Sequence, residues 1–192
     1  MIQKTEIEEE TFFSQDFSKK DLSKKIFSHC QFEKCNFTES SWKNSDLIQC
    51  TFIECNISLV KIDDCRLQEV HFINSKILGI DFFKCNPTFF FIKIEDSSLQ
   101  YCNFSDLKMQ RTQFLNSQIK ECHFSHTNLK ESNFKNSTLT ASLFHQCNLT
   151  KADFSQSFAY TIDPQTNCIK KAIFSLPEAV GLLRGFNIQL KR

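Results

Sequence analysis

Large apolar residues recur in this chain every five positions, a period that belongs to neither regular helix nor regular strand. Stepping by five from Phe12 to Phe82 meets fifteen residues, all large and apolar. The phase then slips by two and resumes at Phe89, and the steps to Phe154 meet fourteen more. Together these positions take up fifteen of the 22 phenylalanines. A helix would smear such residues around its circumference, and a plain strand would turn every second one into water.

A second set sits two residues before each of these. From Cys30 to Ala152 it holds Cys, Ser, Thr, Ala or Val at 21 of 25 positions, the exceptions being Ile80, Pro87, Ile92 and Leu107. The other three positions of each unit are mostly polar. The pattern works if each five-residue unit forms one side of a four-sided coil, with its large and small residues both pointing inward. Twenty residues then make a turn, and turns stack through main-chain hydrogen bonds at ~4.8 Å. Every twentieth residue should therefore fall in one column. The first side carries Phe12, Phe32, Phe52, Phe72, Ile94, Phe114, Phe134 and Phe154, and this phenylalanine bias is lost if the coil has three or five sides.

Composition narrows the function classes. At 192 residues the chain is about one domain, and 41 % hydrophobic residues is too many for a disordered one. Only three glycines argue against hairpin-rich folds and a glycine-rich phosphate loop. No apolar run reaches the length of a membrane span. The first residues lack the apolar stretch of a signal peptide, so a cytoplasmic location with reduced cysteines is expected. A formal net charge of +1 gives no overall basic excess, and direct nucleic-acid binding is not expected. The charge is nonetheless uneven: residues 1–98 hold 16 acids against 12 bases, and residues 99–192 hold 6 against 11.

Nine of the ten cysteines fall on inward small positions and only Cys168 lies outside the repeat, whereas all five histidines fall on outward ones. Metal ligands must converge on one point, so no metal site is expected. No catalytic constellation and no cofactor motif appears, and a solenoid offers no deep apolar pocket. The chain reads as a binding protein.

The ends and the slip complete the reading. Glu10, Gln15, Lys20 and Lys25 occupy small positions and cannot be buried there, which predicts an irregular first coil after a tail over 1–10. The repeat is placed at 11–157, with its register slip at 83–92. Pro87 cannot donate to a ladder, and Phe83, Phe90 and Phe91 are out of register, so they are candidates for an outward patch that meets a partner. The alternative is that they fold over the bulge. Residues 158–192 form a terminal segment. There Ser175-Leu176-Pro177-Glu178 is a capping-box pattern that predicts a helix through Leu183 ending near Gly185, and Phe186 to Leu190 alternates like a short strand.

The units Cys30-Gln31-Phe32-Glu33-Lys34, Cys35-Asn36-Phe37-Thr38-Glu39 and Ala152-Asp153-Phe154-Ser155-Gln156 resemble the bacterial pentapeptide-repeat family. The resemblance implies an all-β fold, a right-handed quadrilateral parallel β-helix, here with a short C-terminal α-helix. Its Qnr and MfpA members resemble duplex DNA in width and negative charge and engage type II topoisomerases. By that resemblance the partner is DNA gyrase or topoisomerase IV and the outcome is quinolone protection. A pentapeptide-repeat scaffold for an unrelated protein is the alternative. Residues 174–190 are similar to the segment through which those members form a symmetric dimer, which makes Val180, Leu182, Leu183, Phe186 and Ile188 candidate homodimer contacts. A hydrophobic cap on a monomer is the other reading of the same residues.

Overall fold

The chain turns a corner after each five-residue unit because the unit's last residue lies in the left-handed region: φ is 54° at Lys34, 53° at Glu54 and 52° at Asn74. Among the described residues thirty non-glycine residues have a positive φ, and none of them is Val, Ile or Thr. Two heavy substituents on Cβ make that conformation costlier still. The polar run at this position of the repeat is therefore a backbone requirement as well as a solvent one.

In the computed structural model, which describes residues 5–186 and 188–189, these corners close a four-sided parallel β-solenoid of about eight turns. Three long sheets run along it. The sheet of the first side joins six strands, with Phe12 opposite Phe32, Phe32 opposite Phe52, Phe52 opposite Phe72, Phe72 opposite Ile94 and Ile94 opposite Phe114. Along this sheet the register is thus twenty residues except at one step of 22. The inward rings stack face to face along the column, with centroids 4.8 Å apart for Phe32 and Phe52 and 4.8 Å for Phe134 and Phe154. Rings on adjacent sides meet edge-on, as Phe104 and Phe114 do at 5.8 Å. The edge-on contacts suit the ring quadrupole, and the interior is dry: Phe52, Phe114 and Phe134 are fully buried.

The small inward residues do more than leave room. Many of them donate to the carbonyl of a large residue one turn earlier. Cys55 Sγ reaches Phe32 O at 3.3 Å, and Ser137 Oγ reaches Phe114 O at 2.8 Å. The same hydroxyl accepts from the preceding turn, giving a buried ladder: Ser75 N to Ser97 Oγ at 3.0 Å, Ser97 N to Ser117 Oγ at 3.2 Å, and Ser117 N to Ser137 Oγ at 2.9 Å. Buried main-chain groups need partners, which is why this position favours Ser, Thr and Cys over Ala. Ala152 is tolerated because the carbonyl it would serve, that of Leu129, already accepts from Ser132 N at 3.1 Å. Val60 sits in the same situation, since Phe37 O accepts from Ser40 N at 3.0 Å.

Several expectations are corrected. The first coil is regular. Glu6–Glu8 already pairs with Ile26–Ser28, and Glu9 and Ser14 make normal corners. Glu10, Gln15 and Lys20 are simply exposed at the end of the stack. Stacking also continues past residue 157, where Thr161–Ile162 and Ile173–Phe174 still pair with the preceding turn and Phe174 stacks on Phe154 at 5.2 Å. Phe89, expected to point inward, is 71 % exposed, and Phe90, expected to point out, is buried at 7 %. The chain keeps the twenty-residue register to Asn86, opposite Arg66, and regains pairing only at Ile92, opposite Val70. The two extra residues therefore lie between them, and the third residue after Pro87 is the first able to reach the interior. Finally, Glu178–Phe186 forms a 3₁₀ helix in place of an α-helix. No strand follows: Ile188 and Gln189 are irregular, and Asn187 and Leu190 lie outside the described residues.

Candidate functional site

Two surface features depart from the regular coil, and both are apolar. The first is the bulge. Phe89 occupies a left-handed corner with φ 59°, an unusual place for a bulky aromatic. Phe89 and Phe91 flank a groove of about 590 Å³ whose floor is Val70 and Phe90 and whose rim includes Glu69, His71 and Lys93. Phe91 stays half out because its own main chain is tied down, with Phe91 N donating to Leu67 O at 2.9 Å and Phe91 O accepting from Val70 N at 3.1 Å. Of the three residues proposed for this patch, the structure places Phe91 on the groove wall and Phe90 beneath it. Phe83 is exposed next to the inward Phe82, under Lys84 at 5.6 Å, and does not line the groove. Phe89 is the residue that sequence reasoning missed, since the five-residue phase assigned it to the core.

The rim carries charge. Glu95 pairs with Lys93 at 2.9 Å and lies 3.4 Å from His71 Nε2. Burial first, then the nearby Lys93, holds the His71 pKa below 6.5 against the pull of Glu95.

The second feature is the C-terminal end. Val180, Leu183 and Ile188 line a groove of about 550 Å³ together with Ala159, Tyr160 and Pro177. Val180 and Leu183 are 42 % and 38 % exposed, and Phe186 is exposed beside the groove without lining it. Leu182 turns the other way and packs on the core. The Tyr160 hydroxyl, buried at the base of this groove, has no hydrogen-bond partner among the described residues.

Over the first coils the surface carries charge ladders, because residues twenty apart are neighbours. Lys34 faces Glu54 at 3.9 Å, Lys43 faces Asp63 at 3.4 Å, and Asp46 faces Arg66 at 3.6 Å. Alternating signs at coil spacing cancel within a Debye length, so the acid-rich half presents no continuous anionic row. Nine of the ten cysteines are buried and none forms a disulfide; burial pushes Cys50 and Cys55 up to about 12. Among the described residues no cluster of metal-ligating side chains forms, and no helix is long and apolar enough to cross a membrane.

Fold and surface define a rigid repeat solenoid whose distinctive features are apolar patches on an otherwise polar rod. The family models "Pentapeptide repeat region" and "Pentapeptide repeats (8 copies)" match residues 25–101 and 117–156, and the chain belongs to the pentapeptide-repeat family. No curated protein sequence matches it. Among solved structures it is similar to trypsin-treated QnrB1, a plasmid-mediated fluoroquinolone resistance protein, at 21 % identity with a TM-score of 0.66, covering 97 % of this chain and 90 % of that one. It is also similar to HetL, a pentapeptide-repeat protein involved in heterocyst differentiation regulation from the cyanobacterium Nostoc sp. strain PCC 7120. That likeness has 12 % identity and a TM-score of 0.64, covering 89 % of this chain and 86 % of the other.

Proposed function

We propose that this chain is a non-enzymatic protein-docking module and that its partner is captured at the bulge. The observation that carries this is the aromatic groove at the point where the twenty-residue register gains two residues. A two-residue insertion there exposes Phe89 on a strained corner, with Phe91 beside it over an apolar floor. Aromatic anchors that are large and conformationally restricted dominate protein interfaces, and bulky residues held in sparsely populated backbone regions cluster at binding sites. The balanced charge ladders favour contact through this groove over imitation of a DNA surface.

A type II topoisomerase, DNA gyrase or topoisomerase IV, is the first partner to test, by analogy with the quinolone resistance of QnrB1. The test is gyrase supercoiling with a fluoroquinolone, plus a direct binding measurement, for the parent and for a Phe89→Ser/Phe91→Ser variant. The expectation is binding and protection by the parent and loss of both in the variant. If the parent binds neither enzyme, the partner is an unrelated protein. If the double variant binds as well as the parent, the groove is not the docking site.

The C-terminal groove supports a second element of the reading, a two-fold homodimer in the cytoplasm. A closed dimer uses one patch twice, and Val180, Leu183 and Ile188 supply an apolar one beside the unpartnered Tyr160 hydroxyl. Light scattering at micromolar concentration should give twice the chain mass, and Leu183→Glu should give a folded monomer. A monomeric parent removes the dimer.

A further inference from the structure

The formal charge of +1 averages over a surface on which charge is sorted by side. Between residues 99 and 175 there are eight Lys and Arg, and six of them, Lys108, Arg111, Lys130, Lys151, Lys170 and Lys171, occupy outward positions of the fourth side, whose inward residues include Leu47, Leu67, Met109, Leu129 and Leu149, or its following corner. The stacking brings them together. Lys108, Asn128, Asn148 and Cys168 are successive rungs of one column. Arg111 N bonds to Lys130 O at 2.9 Å, and Lys151 N bonds to Lys170 O at 2.9 Å. All six side chains are exposed. The one acid among them, Glu131, is clamped between Arg111 at 3.0 Å and Lys151 at 3.3 Å, which holds its carboxyl below the usual range. Lys108, Lys130, Lys170 and Lys171 make no ion pair among the described residues. At the other end of the same side stand Glu6, Glu8 and Glu9, so the positive field is confined to the last four coils.

We infer that this basic side is a sequence-independent contact surface for the phosphate backbone of a nucleic-acid duplex. Three features select that partner. The outward positions of this one side, from Lys108 to Lys171, carry no aliphatic or aromatic residue, whereas a protein interface needs an apolar or aromatic core. With no aromatic platform, unpaired bases have nothing on which to stack. What remains, Lys and Arg interleaved with Asn, Gln and Thr, is the set that binds phosphate and sugar without reading sequence. The surface is also rigid, so two stiff partners meet without an ordering cost. Three rungs at ~4.8 Å span ~14 Å, which covers about four phosphates of one strand at ~3.4 Å rise. This contact is independent of protein docking at the bulge.

The test is fluorescence anisotropy of a labelled 24-base-pair duplex against the full chain at 50 to 200 mM salt. With about four phosphates neutralised, the log–log salt slope should be near −3.6, and binding should weaken about 100-fold across that range. A Lys130→Gln/Lys151→Gln/Lys170→Gln variant, its fold checked by circular dichroism, should bind at least tenfold more weakly at 50 mM salt. Its slope should fall toward −1. A Lys120→Gln/Lys135→Gln variant, altered on other sides, should bind as the parent does. The duplex should also slow alkylation of Cys168, which lies within the basic patch. The inference is overturned by a slope near zero or by a triple variant that binds like the parent. It is equally overturned if polyglutamate displaces the duplex as well as unlabelled duplex does, which would make an acidic polypeptide the ligand.

Discussion

Replacing Ser137 by Ala should destabilise this protein far more than the loss of one small polar atom suggests. The Ser137 hydroxyl donates to Phe114 O at 2.8 Å and accepts from Ser117 N at 2.9 Å, and the residue is fully buried. Alanine therefore orphans one main-chain acceptor and one main-chain donor in a dry interior, each at about 1–3 kcal/mol. A total near 3 kcal/mol corresponds to roughly 6–12 °C in Tm for a chain of this size. Ser137→Cys keeps a donor and an acceptor at the position, as cysteine does elsewhere in the repeat, and should lose less than half as much. Ser125→Ala, which alters an outward position, should stay within about 0.5 kcal/mol. Thermal and urea unfolding of the three variants decide the matter. If Ser137→Ala unfolds together with Ser125→Ala, the small residue serves only to fill space and the ladder contributes nothing.

Other perturbations test other parts of the coil. Gln146 is an exposed left-handed corner with φ 53°. Gln146→Val should cost about 1–2 kcal/mol, and Gln146→Gly should be neutral or stabilising; equal stabilities of the two would remove the corner argument. In thiol labelling of the native protein, Cys168 should react at once, since its Thr150 contact and Lys170 favour the thiolate, while the nine buried thiols react only on denaturation. Rapid native labelling of more than one equivalent contradicts that. Because the folded pKa of His71 is depressed below 6.5, the native state binds fewer protons than the unfolded chain as pH falls through that value. Stability is lost in that window, not gained. Tm should drop between pH 7.5 and 5.5, and His71→Gln should flatten the slope; an unchanged slope in the variant assigns the drop to other groups.

Most of the fold was legible because a period of five admits few backbone solutions. Once Phe12, Phe32, Phe52 and Phe72 fall in one column, the twenty-residue register and the inward cysteines follow. The ends were less legible. Glu10 and Lys20 violate the small-residue rule without breaking the coil, since at the end of a stack an inward position opens to solvent. The same latitude hid the later turns, where Ile162 and Phe174 keep the stacking although the spacing between units is irregular.

The candidate site lies where the repeat fails, and there the periodic argument assigned the wrong phenylalanine. Phe89 continues the five-residue count, but the count assumes that the extra residues come before it. In the structure the chain holds register to Asn86, bends at Pro87, and spends the insertion on Thr88 and Phe89, so Phe90 fills the interior. Period alone cannot locate an insertion among three successive phenylalanines, because each of them satisfies the core equally. What distinguishes them is the corner: one residue had to take the left-handed conformation, and the residue that takes it must point out. An aromatic there is a poor choice for folding and a good one for contact. Replacing Phe89 by Asn, which favours that conformation, should therefore stabilise the rod while weakening whatever docks on it. A Phe89→Asn chain that gains no stability, or that keeps its partner undiminished, refutes the trade-off.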